Sequence, residues 1–331
     1  MRLATFVSRG ESQIGVVGED WVFELSGIQS LAQETGSRWA GLTGGMGEPF
    51  PRTMTGLLET GERGLDAARR AFEFAQTYME QGDHVLIEPY ATPLEEVEWR
   101  TPLPDNPYVW CIGGNSPNTI RAKGFEATDY PFGFAKPTFA LRGHMEPVEI
   151  AEFHNWYRWT PELGVVLGRT AKNILYEEAL DYVVGYTCCN DMATQHYREE
   201  TLSHDPVHFL DALAASYYGK YADGFMPIGP YITTKDEVGD VYDLLIVGRQ
   251  SGDHRDRGHT CAMLNGVERT IHTLSQHMTL PAGTVLAMGA MHVDGLHIKD
   301  VMPEGGYMEV DIERVGVLRN PLVDHRTCYR P

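Results

Sequence analysis

The sequence predicts a β-rich α+β protein in which a small α/β N-terminal domain precedes a larger, strand-dominated one. Three observations predict it. Runs rich in β-branched and aromatic residues outnumber segments with helical periodicity. The two kinds do not alternate strictly, as a doubly wound parallel sheet would require. One proline-punctuated stretch, TPLPDNP at Thr101–Pro107, divides two regions of different texture. With 331 residues, 42% hydrophobic and 22% charged, the chain can bury a large core or two unequal ones.

Residues 1–100 open with MRLATFVSRGESQIGVVGEDWVFELS, short β-type runs broken by Gly, Ser and Asp, which read as a hairpin or meander. Glu62–Gln81 sets Leu65, Ala68, Phe72, Phe74 and Tyr78 near helical spacing, so an amphipathic helix is expected there. Residues 101–107 are the expected linker and 108–331 the larger domain. Strands are expected at VEWR, YVWCIGG, LGVVLG, YVVGYTCCN, DLLIVG, TVLAMGA and YMEVDIERVGVL, and helices at Tyr176–Asp181, Val207–Tyr217 and Met263–His277. The charged stretch GDHRDRGH at Gly252–His259 reads as a solvated loop.

The net charge is −19 and no Lys/Arg-rich stripe relieves it, which argues against nucleic acid or an anionic membrane as partner. A small anionic substrate stays compatible, because a few local cations or one metal ion can reverse the field inside a site. No apolar run approaches the roughly 18 residues that span a bilayer. The first residues lack an apolar stretch followed by a small-residue cleavage site, so no signal peptide is expected. The five cysteines are odd in number, lack metal-ligand spacing and mostly sit inside apolar runs, so they read as reduced core thiols in a cytoplasmic protein. Dinucleotide-fingerprint, P-loop, nucleophile-elbow and H-E-x-x-H motifs are all absent.

Two acidic residues stand out against apolar strand runs. Glu162 enters ELGVVLGR and Asp191 ends EEALDYVVGYTCCND; an ionised carboxylate buried at such a place is costly unless paired. These runs belong to an ordered series: CIGGN (Cys111–Asn115), FAKP (Phe134–Pro137), ELGVVLGR (Glu162–Arg169), EEALDYVVGYTCCND (Glu177–Asp191), GKYADGFMPIGP (Gly219–Pro230), LPAGTVLAMGA (Leu280–Ala290) and VGVLRNPLV (Val315–Val323). The series resembles the catalytic domain of the fumarylacetoacetate hydrolase family, from about Tyr108 to Val323. The resemblance implies a mixed β-sandwich roll and a homodimer.

It also implies a site. The family's usual Mg²⁺ or Mn²⁺ is held by an E-x-E pair opening one strand and by the Asp of a later N-D pair. Hard cations take oxygen ligands, and residues two apart on a strand share a face. By resemblance Glu162 matches the second Glu and Asp191 the Asp, while the first Glu falls at Thr160, a neutral and poor ligand. Either an ion still binds weakly on Glu162 and Asp191, with water, Thr160 or a rearranged side chain such as His154 or His196 in the vacant place, or the two carboxylates remain as hydrogen-bonding residues. Lys220 matches the lysine that polarises the substrate's oxo group. The family's His and Glu that activate water fall at Thr119 and Ala122, so that dyad is missing. The Arg after N-D falls at Gln195, the later Gln at Arg198, and the G-T-P turn at Gly289-Ala290-Met291. Lys136 of FAKP joins Gln195, Arg198, Gly289 and Ala290 as substrate-binding candidates. His196 and His292 are candidate acids or bases.

The resemblance implies an enzyme acting on a 1,3-dicarbonyl or 2-oxo acid by metal-assisted enolate stabilisation, with carbon–carbon bond hydrolysis, the family's commonest reaction, expected first. Loss of the dyad leaves decarboxylase, lyase, isomerase or cyclase chemistry open. A non-catalytic ligand-binding protein on the same fold is the alternative of another class.

Overall fold

In the computed structural model the residues described are 1–35, 49–82, 84–105, 108–122, 126–195, 214, 217–291, 298 and 300–326. The first 24 residues form the expected meander: Arg2–Ser8, Glu11–Val17 and Trp21–Glu24 pair antiparallel in chain order. This meander does not stop at its own edge. Arg2 and Leu3 pair with Thr233 and Ile232 of the Met226–Thr234 strand, so the N-terminal strands extend a 12-stranded sheet that continues into the larger region. The boundary expected at residues 101–107 therefore runs along one continuous sheet. Met1, Leu3, Ile14 and Val16 share a core with Val166, Val184, Ile228 and Val285.

At the centre of that sheet lie Val183–Asn190 and Pro161–Leu167, flanked by Met226–Thr234 on one side and Val285–Ala287 on the other. Val109–Gly113 and Phe132–Lys136 complete that edge. Both central strands are buried along their whole length, because both faces are covered. Leu163, Val165 and Leu167 face a second sheet of five strands, built from Leu245–Gln250, Asp253–His259, Tyr307–Ile312, Gly316–Asp324 and Val148–Ile150. Val166 and Val184 face the opposite way, toward the core that takes in Met54–Glu59 and the start of Glu62–Glu80. This is the expected β-rich α+β fold, two packed sheets with helices on the outer face of the larger.

The Glu62–Glu80 helix buries Leu65, Ala68 and Phe74 as its spacing predicts. Val267–His277 falls inside the expected Met263–His277, and Tyr176–Tyr182 is a 3₁₀ helix. Most of the helix expected at Val207–Tyr217 lies outside the described residues. The stretch read as a solvated loop is a strand: Asp253–His259 pairs antiparallel with Leu245–Gln250. Its ladder is made by main-chain groups, so a charged sequence can take the conformation while Asp253 and Arg257 stay exposed. Cys111, Cys188 and Cys189 are buried free thiols and Cys261 is exposed. Among the described residues no helix is long and apolar enough to cross a membrane.

Candidate active site

Strand register brings the two singled-out carboxylates together. Pro161 pairs with Asn190 and Glu162 with Cys189, so the start of one strand and the end of the other lie side by side. Asp191 N–H donates to the Thr160 carbonyl at 3.1 Å, which closes that end. Thr160 and Glu162, two apart, project to the same side: the Thr160 hydroxyl is 3.0 Å from Glu162 Oε1 and 2.9 Å from the Asp191 carbonyl oxygen.

The next strand along supplies the remaining contact to Glu162. Val285–Ala287 pairs with Gly164–Val166, and beyond it Gly289 N–H donates to Glu162 Oε2 at 2.9 Å. Gly289 adopts φ +80, and a Cβ there would lie 2.4 Å from the Ile112 carbonyl oxygen. Asn115 fixes this turn from below. Its Nδ2 donates to the Met288 and Asn265 carbonyls at 2.8 and 3.1 Å, and its Oδ1 accepts from Asn265 N–H at 2.7 Å. Sequence reasoning missed this positioning role, although Asn115 ends the CIGGN motif and is wholly buried. Gly289→Ala is expected to cost about 1–3 kcal/mol through left-handed strain and the clash, measured by urea unfolding.

Asp191 sits between two ammonium groups. Lys136 Nζ is 2.9 Å from Oδ1, and Lys220 Nζ donates to Oδ2. Burial alone would push the Asp191 carboxyl up, but the two lysines overcome it and hold the group down at about 2. Glu162 goes the other way: burial, then repulsion from Asp191, raises it to about 8. The Lys220 ammonium is lowered, by burial first and by the neighbouring Arg158 and Lys136 charges, against the pull of Asp191.

The lysines differ in what their protons do. Lys136 is fully buried and donates to the carbonyls of Lys220, Phe225 and Met192 at 2.6, 2.9 and 3.2 Å. It thus ties the Lys220 backbone to Asp191 and has no proton left for a substrate, so its place is that of a positioning residue. Among the described residues Lys220 Nζ has a single hydrogen-bond acceptor, Asp191, and two of its N–H bonds remain for the cleft. It also lies 5.3 Å from the Phe134 ring centroid.

That cleft has a volume of about 450 Å³. Its polar lining includes Arg158, Thr160, Glu162, Asp191 and Lys220, and its apolar lining Ile112, Ile120, Phe132, Phe134 and Ala290. Arg158 was not singled out in the sequence. It ends the short Trp156–Arg158 strand, opposite Ala193, which aims it at the same place. Thr119, the position expected from the resemblance to replace a water-activating His, is buried and accompanied by Ser116, whose Oγ accepts from Thr119 N–H at 3.2 Å. The side chain of Ala122, together with His196, Arg198 and His292, lies outside the described residues. Gln195 closes the Ala193–Gln195 strand, opposite Trp156. Ala290 reaches the cleft, whereas Gly289 spends its N–H on Glu162.

The signature described as fumarylacetoacetate (FAA) hydrolase C-terminal matches residues 108–323. The chain belongs to the fumarylacetoacetate hydrolase family. Oxaloacetate tautomerase fahd2, mitochondrial, of Xenopus laevis is 28% identical over 276 residues, covering 83% of this chain and 79% of that one. The crystal structure of maleylpyruvate hydrolase from Sphingobium sp. SYK-6 in complex with manganese(II) and pyruvate superposes with a TM-score of 0.65 at 24% identity, covering 98% of this chain and 99% of that one. The 5-carboxymethyl-2-hydroxymuconate delta-isomerase of Mycobacterium smegmatis gives 0.66 at 20% identity over 98% and 100%. The fold is the family's, and hydrolases, isomerases and tautomerases all occur on it.

The residues expected to hold Mg²⁺ or Mn²⁺ do meet, but their donor atoms do not fit a divalent ion. Both Asp191 oxygens face ammonium groups, both Glu162 oxygens face N–H or O–H groups, and Thr160 is neutral. Among the described residues no three His, Cys, Asp or Glu side chains group to hold a metal. Hard divalent cations need several free oxygens, and here the third carboxylate is a hydroxyl.

Proposed function

We propose that this member of the family is an enzyme that moves a proton between carbon and oxygen on a small 2-oxo acid: a keto–enol tautomerase or double-bond isomerase. The observation that carries the reading is one cleft lined by a basic buried carboxylate, Glu162, and an ammonium with spare N–H groups, Lys220, with Thr119 at the position where the resemblance expects a water-activating base. Two carboxylates pushed apart in acidity divide the work. Glu162, raised to about 8, accepts the proton from the carbon beside the oxo group. Asp191, held down at about 2, stays ionised and fixes Lys220. The C–H electron pair becomes the enolate double bond, and the charge arriving on the oxo oxygen meets the Lys220 ammonium. Glu162 then returns its proton to that oxygen or to the other carbon. The name of the Xenopus relative, a tautomerase of the 2-oxo diacid oxaloacetate, supports the same class of chemistry.

The test follows enol-to-keto conversion of oxaloacetate by ultraviolet absorbance. Glu162 works as the base only when ionised, so kcat/KM is expected to rise about tenfold per pH unit below pH 8 and to level off above it. Glu162→Gln should remove the catalysis and the pH dependence together. Carbon–carbon cleavage of acylpyruvates without any tautomerisation would replace this reading by hydrolysis.

A further inference from the structure

The polar lining of the cleft is built for an anion. Both carboxylates there are already engaged: Asp191 faces the Lys136 and Lys220 ammonium groups, Glu162 takes the Thr160 hydroxyl and the Gly289 N–H, and Lys220 and Arg158 line the cleft beside them. Glu126 joins only at the exposed rim, where solvent screens it. To reach Asp191 Oδ2 a dication would have to displace the Lys220 ammonium seated on it, which is 13% exposed. Thr160 is part of the same arrangement: its hydroxyl lies between Glu162 and the Asp191 carbonyl and adds no anionic oxygen where a cation would need one.

We infer that the chain binds the carboxylate and oxo oxygens of its acid directly on Lys220 and Arg158, with these fixed cations in place of a divalent metal. Lys220 offers two N–H groups to an oxygen from its Asp191-anchored position. Arg158, on the neighbouring strand end, supplies a planar fork suited to a carboxylate. Lys136 keeps both Asp191 and the Lys220 backbone in place without entering the cleft. The inference rests on the oxo-acid reading only for the class of ligand, and its test is independent of turnover.

The test is calorimetry with oxalate on full-length protein treated with chelator and dialysed. Oxalate is expected to bind with the same Kd with or without Mn²⁺, and Mn²⁺ alone to give no heat of binding. Arg158→Met and Lys220→Met should each weaken oxalate at least tenfold; Arg158→Met alone suffices if the lysine variant does not fold. Thr160→Glu should gain Mn²⁺ binding that wild type lacks, since it restores an anionic oxygen beside Glu162. Oxalate binding that requires Mn²⁺, or Mn²⁺ binding to wild type alone, overturns the inference. Metal-free oxalate binding without any tautomerase activity leaves the inference standing and removes the proposed reaction instead.

Discussion

Asp191→Asn is expected to cost about 3–5 kcal/mol of folding stability, because it strips the counter-charge from two ammonium groups held below the surface. Lys136 has no exposed side-chain surface and cannot turn to water for compensation, while Lys220, 13% exposed, can do so only through the cleft. The variant should melt well below wild type in calorimetry and recover part of the loss in a Lys136→Met background, where one of the orphaned charges is gone. The pH dependence follows from linkage. The Asp191 carboxyl is held at about 2 in the folded protein, below its ordinary value near 3.8. Its contribution is therefore complete above that ordinary value and is lost as pH falls through about 2. The stability gap between wild type and Asp191→Asn should narrow across that acid range. An Asp191→Asn protein as stable as wild type would mean that the lysines find other partners.

Lys220→Met should lose a factor of about 10²–10³ in kcat, the usual consequence of removing one preorganised donor from a developing oxyanion, or about 2.7–4 kcal/mol. Methionine keeps most of the stem's volume and its contact with Phe134 while removing the charge. Lys136 remains as counter-ion to Asp191, so folding should suffer much less than in Asp191→Asn. The two variants are thus expected to separate: one fails mainly in stability, the other mainly in turnover. Turnover within a few-fold of wild type in Lys220→Met would remove the lysine from the chemistry.

Glu162 and Asp191 stood out in the sequence as acids at the ends of apolar strand runs, and the family resemblance placed them in one site, which the antiparallel pairing of their strands accounts for. Thr160 was legible only through the same resemblance, with the two-residue period setting it on the face of Glu162. The work of Lys136 was hidden. Its partners are the main-chain carbonyls of Met192, Lys220 and Phe225, and carbonyls leave no mark on a sequence. Arg158 was hidden for a related reason, since a single basic residue ending a three-residue strand forms no pattern until that strand is paired with Ala193–Gln195.

Parts of the fold were hidden likewise. The Met226–Thr234 strand carries Pro227 and Pro230, residues that argue against a central strand, yet it lies between Arg2–Ser8 and Val183–Asn190. Without it in view, nothing told that the N-terminal meander would share a sheet with the catalytic region. Local patterns fix strands one at a time, whereas the choice of neighbours is made by pairings far apart in the chain, such as Leu3 with Ile232.

If Glu162 takes a proton from the carbon next to an oxo group, that carbon exchanges with solvent. Deuterium incorporation there is followed most directly by proton NMR in D₂O with oxaloacetate or 2-oxobutyrate and chelator-treated protein. Exchange well above the buffer rate is expected in wild type, reduced to the buffer rate in Glu162→Gln. Exchange no faster than buffer in wild type, or equal exchange in Glu162→Gln, would contradict this role of Glu162.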